Sequence, residues 1–344
     1  MKKVVVVGGG FAGSEVAKGL ERDFDVTLID VTDYFEFTPG VLRTIVEPWH
    51  IKKIQVLHTS YLKRAKIVTE KVGEVARKYV KVGKKKLNFD YLVICAGSTY
   101  SSPIKDQNLI MNLRARNLRD CFDRLSKSKK ILIIGGGLVG VELAGEILWR
   151  CKDKKIAIVH LRDRLIERNP EKASQYAERY LEKRGVEIIY DEKVIKGKEK
   201  IFSTDKGRKV KADMAFLCTG IIPNFGLMKK NFSGKLNERN QIKVNNYLQL
   251  LGEKKIFVAG DVNDINMEKT AQNAKLQAKI VVKNIRAIEE GRELESYNKK
   301  KTPLVISLGR YNGIYCHGKF VISGFIPAIM KAVIEDWEMW KRKI

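Results

Sequence analysis

The chain has 344 residues, 44% of them hydrophobic, which is too long for one ordinary core and predicts two or three domains. No apolar run approaches the ~20 residues needed to cross a bilayer, so the composition excludes a membrane-spanning protein. The formal net charge of +26 favours polyanionic partners, with a lysine-rich solvated surface as the alternative.

The first predicted unit is a strand at residues 3–7, followed by a glycine turn and a helix. Gly8, Gly10 and Gly13 give the turn the spacing GxGxxG. The first glycine allows the tight turn, the second lets the backbone approach a pyrophosphate, and the third lets helix and strand pack closely. The helix amino terminus offers N–H groups to the phosphates. The sequence therefore predicts a dinucleotide site at this turn.

The next two strands of this unit end in candidate ligand-binding residues. Residues 26–30 end at Asp30, where a carboxylate can accept hydrogen bonds from a ribose diol. An ordinary strand-end aspartate is the alternative interpretation. A buried strand at residues 91–95 then ends in the small-residue turn Ala96 and Gly97.

The same unit is repeated in the second third of the chain. A strand at residues 130–134 precedes Gly135, Gly137 and Gly140, which repeat the GxGxxG spacing before a helix. Two copies in matching register predict an α/β protein with two Rossmann-like dinucleotide-binding domains.

The second copy differs from the first at the end of its second strand. His160 stands where the first copy has Asp30, and Arg162 follows it. Without a carboxylate a 2′-phosphate would not be repelled, and Arg162 could pair with it. NADPH is therefore permitted as well as NADH, although a solvent-facing Arg162 is the alternative.

Later elements complete the two units. A strand at residues 214–218 leads to Gly220, and an element at residues 256–261 ends in Gly260 and Asp261. An alanine-rich helical stretch follows from about residue 270 to 285. The tail changes character, with lysines at residues 298–302 and an aromatic, glycine-dotted segment at 305–324.

The five cysteines are dispersed, without CxxC or CxxxxC spacing: Cys95, Cys121, Cys151, Cys218 and Cys316. This pattern argues against a disulfide framework and for a reducing compartment. It also sets aside the disulfide reductases, which carry a cysteine pair. A sulfide:quinone oxidoreductase, which uses cysteines beside its flavin, stays as an alternative through Cys151 and Cys316.

The order of these motifs resembles that of the flavoprotein superfamily with two dinucleotide-binding domains. Within it the chain resembles type II NADH dehydrogenases and, more closely, the branch of ferroptosis suppressors and apoptosis-inducing-factor homologues. The features that resemble this branch are His160, residues 307–313 and the pair Trp337 and Trp340. The resemblance covers essentially the whole chain. It implies FAD in the first domain and NAD(P)H in the second.

The resemblance also implies roles for individual residues. Asp261 matches an aspartate that hydrogen-bonds the FAD ribityl chain, Pro39 matches a proline beside the isoalloxazine, and Glu142 matches a glutamate near the nicotinamide. Thr270, Ala271 and Gln272 open a helix that would point its amino terminus at the flavin pyrimidine, where its dipole favours the anionic reduced flavin.

The tail at residues 325–344 has an amphipathic helical pattern. Its apolar positions recur at helical spacing: Ile326, Ile329, Met330, Val333, Trp337 and Trp340. Its positive charges are Lys331, Lys341, Arg342 and Lys343. The pattern suits a membrane interface or, equally, a helix packed on the protein or at a homodimer interface. The resemblance favours an anionic membrane.

These observations lead to one main hypothesis and three alternatives. The main hypothesis is a peripheral NAD(P)H:quinone oxidoreductase on the cytoplasmic, inner face of the membrane. Its FAD domain comprises residues 1–112 and 229–298, its NAD(P)H domain 113–228, and its flavin-capping, membrane-contacting segment 299–344. The enzymatic alternatives are the sulfide:quinone oxidoreductase and a soluble reductase of an acidic electron carrier such as ferredoxin or rubredoxin. A nucleic-acid-binding flavoprotein has only the net charge in its favour, and no nucleic acid is expected as a partner.

Overall fold

A computed structural model describes residues 1–100, 111–298 and 301–343 of the chain. Of the predicted tail segment, residues 299, 300 and 344 lie outside this description. The described residues form an α/β structure with two parallel sheets, so the predicted fold class is confirmed. The predicted domain boundaries remain a prediction.

The strands are, in chain order, β1 (Lys3–Val7), β2 (Asp25–Asp30), β3 (Tyr34–Glu36), β4 (Gln55–Leu57), β5 (Lys66–Thr69), β6 (Val72–Val75), β7 (Tyr79–Val82), β8 (Lys85–Asn88), β9 (Tyr91–Ile94), β10 (Ser98–Thr99), β11 (Lys130–Ile134), β12 (Lys155–Val159), β13 (Glu187–Ile189), β14 (Val194–Lys198), β15 (Ile201–Thr204), β16 (Lys209–Lys211), β17 (Met214–Leu217), β18 (Ile222–Pro223), β19 (Ile256–Val258), β20 (Leu304–Ser307), β21 (Gly313–His317) and β22 (Phe320–Gly324). The helices are α1 (Phe11–Leu20), α2 (Val41–Thr44), α3 (Ile51–Ile54), α4 (His58–Tyr61), α5 (Met111–Lys127), α6 (Leu138–Arg150), α7 (Glu171–Glu182), α8 (Ala271–Glu289) and α9 (Phe325–Trp340).

The first parallel sheet has the strand order β19-β9-β1-β2-β5. Its central strands are buried β-branched runs, as expected for a parallel sheet covered on both faces. The edge strand β19 follows the whole second repeat in the sequence. The chain therefore returns to the first sheet after building the second.

The second parallel sheet has the order β13-β12-β11-β17 and repeats the arrangement of β2, β1 and β9. Alternate residues of β11 face opposite sides. Ile131 and Ile133 belong to the core that contains α6 and α7, whereas Leu132 packs with Val210 of β16. The small antiparallel sheet β14-β15-β16 thus covers one face of the second sheet, and helices cover the other.

The aromatic, glycine-dotted segment forms a third kind of element, an antiparallel sheet in the order β20-β21-β22. This sheet packs against α6, α7 and α9. It lies on the helix side of the second sheet, opposite β14-β15-β16. The tail helix α9 runs beside it and also contacts α3.

Candidate functional site

The first glycine turn is open to a ligand. Gly8 has a φ of +98°, and a Cβ there would overlap the carbonyl oxygen of Cys95. A Cβ on Gly13 would overlap the carbonyl oxygen of Gly8, so α1 packs tightly on the turn. At Gly10, in contrast, a Cβ would meet no atom within 4 Å, and no side chain caps α1. The space and the uncapped helix terminus fit a pyrophosphate.

The second glycine turn has the same construction. Gly135 has a φ of +109°, and a Cβ there would overlap the carbonyl oxygen of Cys218. A Cβ on Gly140 would overlap the carbonyl oxygen of Gly135. A Cβ on Gly137 would meet no atom within 4 Å, and no side chain caps α6. The structure therefore offers two equivalent cradles for a dinucleotide.

Asp30 lies beside the first turn and is held by a histidine that the sequence did not reveal. Its Oδ1 accepts the N–H of Val31 at 2.7 Å, and its Oδ2 lies 3.1 Å from Nε2 of His58. His58 is fully buried, and its Nδ1 lies 2.6 Å from the hydroxyl of Tyr61. A Cβ on Gly9 would lie 2.5 Å from Asp30 Oδ2, so the carboxylate closes the turn.

His160 closes the second turn in place of the aspartate. Its Nδ1 accepts the N–H of Gly136 at 3.1 Å, which puts the proton of the neutral ring on Nε2. That Nε2 lies 3.5 Å from Oε2 of Glu167, without hydrogen-bond geometry. Burial lowers the pKa of His160 and outweighs the opposing effect of Glu167. Arg162 is exposed on the following segment.

Asp261 is joined to the turn that ends β9. Its Oδ2 accepts the hydroxyl of Ser98 at 2.6 Å, directly after Ala96 and Gly97. Gly97 and Gly260 both have positive φ, +64° and +86°. The N–H of Gly260 donates to Oε1 of Gln277 in α8 at 2.7 Å. The structure therefore brings together two turns and a helix that are far apart in the sequence.

Two neighbours of this junction complete it. The side-chain amide Nδ2 of Asn224 donates to the carbonyl oxygen of Ala96 at 2.7 Å, which places the segment after Gly220 against the first domain. Lys269 is a further residue that sequence reasoning missed. Its Nζ donates to the carbonyl of Asn263 at 2.8 Å, and burial lowers its pKa although Asp261 opposes the shift.

The amino terminus of α8 is capped by its own threonine. The hydroxyl oxygen of Thr270 accepts the N–H of Asn273 at 3.3 Å, which satisfies one of the free donors of the first turn. Ala271 and Gln272 follow, the first partly buried and the second exposed. Their backbone N–H groups are the ones that a ligand at this terminus would meet.

Glu142 is buried where α6, β20 and α9 meet. Its Oε1 accepts the N–H of Ser307 at 2.8 Å and also pairs with Nζ of Lys331. One turn further along α6, Glu146 accepts the hydroxyl of Ser307 and pairs with Arg43 at 3.0 Å. These contacts tie the tail helix and its sheet to the second domain.

The loop that contains Pro39 lies against Glu335 of α9, one turn of the helix after Lys331. Pro39 belongs to the short turn Thr38–Gly40, and a Cβ on Gly40 would lie 2.6 Å from Oε2 of Glu335. Oε1 of the same glutamate lies 2.9 Å from Nε2 of His50, without the alignment of a hydrogen bond. The tail helix therefore touches both the predicted flavin loop and the predicted nicotinamide-side glutamate.

The helix α9 turns its apolar residues outward and several charged residues inward. Its large exposed apolar side chains are Phe325, Ile326, Ile329, Val333, Ile334, Trp337 and Trp340. The rings of Trp337 and Trp340 stack at 5.2 Å, and Lys341 lies 4.7 Å from the Trp337 ring. Among the helices of the described residues, none has the length and apolarity that crossing a bilayer needs.

Two of the four tail cations are turned into the protein. Lys331 pairs with Glu142, and Arg342 is buried, with its NH1 3.1 Å from Oε2 of Glu338. Burial alone would raise the pKa of Glu338, but Lys275 and Arg342 lower it below its usual value. A helical pattern groups residues by face without saying which face is buried, so the sequence left the direction of these two cations open. Lys341 and Lys343 stay exposed.

All five cysteines are free thiols. Burial raises the pKa of Cys95 and Cys218 to about 12 and of Cys121 and Cys316 to about 11, and it raises that of Cys151. Thiols of this kind stay protonated near neutral pH and are poor nucleophiles. Cys95 and Cys218 serve instead as small core residues at equivalent strand ends.

Comparison with known proteins gives consistent results. The model of the pyridine nucleotide-disulphide oxidoreductase family matches residues 2–278. The chain is 32% identical to apoptosis-inducing factor homolog B of Dictyostelium discoideum, over 91% of this chain and 89% of that protein. It is 30% identical to ferroptosis suppressor protein 1 of Taeniopygia guttata, over 96% and 92% respectively.

Solved structures resemble the chain in fold. The sulfide:quinone oxidoreductase of Aquifex aeolicus has a TM-score of 0.87 at 18% identity, with 100% of this chain and 92% of that chain covered. NDH2 of Plasmodium falciparum in complex with NADH has a TM-score of 0.85 at 15% identity, with 99% and 96% covered. At these identities the likeness concerns the fold alone.

Proposed function

The chain belongs to the pyridine nucleotide-disulphide oxidoreductase family, and we propose that it is an NAD(P)H:quinone oxidoreductase acting at a membrane surface. As a member of this family it is a flavoprotein oxidoreductase that binds FAD and NAD(P)H, so both predicted cofactors are confirmed. The quinone and the membrane are the parts that we propose.

We assign FAD to the first cradle and NAD(P)H to the second. Asp30 and Asp261 would hold the flavin nucleotide, and His160 would lie beside the nicotinamide nucleotide. When bound, FAD would supply the means of taking a hydride from NAD(P)H and passing two electrons to an acceptor. The task of the chain is then to hold two rings in contact and to admit the acceptor.

The observation that carries the proposal is the orientation of α9. Ile326, Val333 and Trp337 are 62%, 59% and 51% exposed, whereas Glu335 and Glu338 on the same helix are buried. Monomeric soluble proteins rarely expose a contiguous apolar surface of this kind, and tryptophan is enriched at membrane interfaces. A bilayer covering this face would hold α9 with its charged side toward the protein.

The inner side of α9 suits the reduction of an acceptor that arrives from the membrane. It carries Lys331 and Glu335, which lie against Glu142 and the Pro39 loop respectively. Reduction of a quinone to a quinol needs two electrons and two protons, of which the hydride supplies both electrons and one proton. We propose that Lys331, which is half-buried and pairs with Glu142, donates the second proton to the acceptor.

The other functions have less in their favour. A sulfide:quinone oxidoreductase needs reactive cysteines, and the raised pKa of all five thiols speaks against them. A reductase of a soluble acidic carrier would use the net positive charge but leaves the apolar face of α9 without a role. A second copy of the chain is the remaining candidate to cover that face.

The experiment combines vesicle flotation with two electron acceptors. The variant Ile329→Ser/Val333→Ser/Trp337→Ser removes apolar side chains that each contribute ~1.5–3 kcal/mol on burial. We expect it to lose binding to phosphatidylglycerol vesicles and to reduce a vesicle-borne quinone at least about tenfold more slowly, while ferricyanide reduction stays within about twofold. Leu251→Ser, on another surface, is the matched control and should behave as wild type.

Two results would count against the proposal. Wild-type protein that fails to float with anionic vesicles at low salt would remove the membrane. A homodimer in size-exclusion chromatography that the triple variant dissociates would assign the apolar face to a second copy. Lys331→Met tests the acceptor separately, since it should slow quinone reduction without changing flotation or ferricyanide reduction.

A further inference from the structure

The small sheet β14-β15-β16 has a strongly basic outer face. The paired residues Gly197, Phe202 and Val210 form its middle row, and Phe202 and Val210 pack onto the second parallel sheet. Because side chains alternate along a strand, the rows on either side of this one face outward. Those outer rows are Lys196-Ser203-Lys209 and Lys198-Ile201-Lys211.

The four lysines of these rows are exposed and have no acidic partners. Within the part of the chain that the structure describes, no carboxylate pairs with any of them; the cations of this sheet that do form pairs are Lys200, with Asp213, and Arg208, with Glu192. Strand spacing puts the lysines roughly 7 Å apart along a strand and roughly 10 Å apart across the central one. Like charges at roughly 7 Å repel by ~0.6 kcal/mol even in water, so the face is a preformed positive field.

The corresponding sheet of the first repeat also carries lysines, but a carboxylate stands in its outer row. Its outer row is Glu74-Lys81-Lys86, and Glu74 also receives Lys230 at 2.9 Å. Lys86 lies 4.6 Å from the Tyr79 ring. The outer face of β14-β15-β16 differs from this sheet because neither of its two outer rows contains a carboxylate.

The centre of the basic face is apolar. Ile201 in the middle strand is 42% exposed, and Ile195, at the irregular position of the edge strand β14, is 64% exposed. An apolar centre with a charged rim is the anatomy of a protein interface. The outer rows contain no aromatic residue on which a base could stack and no arginine for a bidentate phosphate contact.

We propose that this face docks an acidic segment of a partner protein, in which glutamate or aspartate residues alternate with apolar residues. The free edge of β14 can receive such a segment as an added strand, in which alternating side chains would place the carboxylates on the lysine side of the sheet and the apolar residues on its other side. The face lies on the side of the second sheet opposite α9, so a bilayer on α9 leaves it in water. This last point rests on the proposed membrane contact, whereas the charge pattern does not.

The test uses the full-length FAD-loaded protein without membranes. The probe is a fluorescein-labelled peptide that alternates glutamate with leucine, titrated by fluorescence anisotropy at low salt. The test variant is Lys196→Gln/Lys198→Gln/Lys209→Gln/Lys211→Gln, and we expect it to bind the peptide at least about tenfold more weakly than wild type. The matched control Lys81→Gln/Lys84→Gln/Lys85→Gln/Lys86→Gln removes the same charge from the other sheet and should stay within about twofold. Both variants should reduce flavin with NAD(P)H at the wild-type rate, which verifies that they are folded.

The variant Ile201→Ser distinguishes a specific contact from attraction by charge alone. We expect it to lower the affinity for the peptide by about threefold or more. Equal losses in the two lysine variants would assign the binding to net charge and overturn the proposal. So would wild-type protein that does not bind the peptide at low salt. Two further probes test other partners: a labelled DNA duplex with the wild-type protein, and anionic vesicles with a variant that lacks the apolar face of α9. If either probe binds more tightly than the peptide and this binding is lost when the four lysines are replaced, the sheet binds that partner instead and the proposal is overturned.

Discussion

The two dinucleotide cradles have the same backbone and differ in the side chains that close them. In both turns the first and third glycines have no room for a Cβ, while the middle glycine faces open space. The closing pair is Asp30 with His58 in the first turn and His160 with Glu167 in the second. Each pair consists of a carboxylate and an imidazole. The carboxylate stands at the strand end in the first turn, and the imidazole stands there in the second.

This difference distinguishes the glycines, which the packing of the turn requires, from the closing side chains, which would contact the ligand. Tight packing of strand, turn and helix depends only on the backbone and is identical in the two halves. In the proposed assignment, one side chain at a strand end would face the ribose. We therefore expect substitutions of the glycines to act alike in the two halves, and substitutions of the closing residues to act differently.

The largest effect should come from the third glycine of each turn. Alanine at Gly13 or Gly140 overlaps a carbonyl oxygen and should cost ~3 kcal/mol in the local packing. We expect Gly13→Ala to be purified without flavin absorbance. Gly140→Ala should keep its flavin and lose flavin reduction by NAD(P)H in rapid mixing. Loss of flavin in Gly140→Ala as well would mean that the two halves do not act separately.

The middle glycines should give smaller and purely ligand-dependent effects. Alanine at Gly10 or Gly137 meets no protein atom within 4 Å, so the unfolding temperature of the apoprotein should not change. The methyl group occupies the path of the phosphates, so affinity should fall about tenfold, or ~1.4 kcal/mol. Isothermal titration with FAD for Gly10→Ala and with NAD(P)H for Gly137→Ala measures this. Unchanged affinity in either variant would contradict the assignment of that cradle.

The closing residue of the second turn should control cofactor choice. Glutamate at position 160 can still accept the N–H of Gly136, but it adds a negative charge that repels a 2′-phosphate. We expect His160→Glu to raise the ratio of kcat/KM for NADH over NADPH by up to about tenfold. Leu161→Glu adds the same charge at an exposed neighbouring site and serves as the control. Equal shifts in the two variants would show that position 160 does not read the ribose.

The smallest effect should be the part of the pH dependence of stability that comes from His160 in the second half. Because burial lowers the pKa of His160 from 6.5, the unfolded chain binds more protons than the folded one as the pH falls below that value. The stability contribution is fully present above about pH 6.5 and is lost as the pH falls through the lowered folded pKa. The Tm of wild type should therefore fall more steeply with acid than that of His160→Gln. Parallel Tm curves would contradict a buried neutral imidazole.

Much of the fold was predictable because its signals are local. The strands at Lys3–Val7 and Lys130–Ile134 are β-branched runs that end in glycine, and both were predicted from those residues alone. The helix α8 was predicted from about residue 270 to 285 and extends to Glu289. The sheet β20-β21-β22 was not predicted as strands, because its short runs carry only a weak period and are set by pairing with one another.

The candidate site was predictable only where a motif surrounds each residue. The glycine turns, Asp30 and Asp261 stand in such motifs. His58, Ser98 and Ser307 do not, since their partners lie 28 to 165 residues away in the chain. The pairing of Lys331 was not predictable for the same reason, because its partner Glu142 is 189 residues away.

The return of the chain to its first sheet also bears on how the protein is made. The strand β19 completes that sheet about 160 residues after its neighbour β9 has been synthesised. At ~5–20 residues per second, a ribosome needs roughly 8–30 s to translate the intervening segment. The strands of the second sheet are complete before β19 emerges, so the inserted half is expected to fold first on the nascent chain. Until β19 emerges, the edge of β9 is expected to stay unpaired, which makes the amino-terminal half the more aggregation-prone part of the nascent chain.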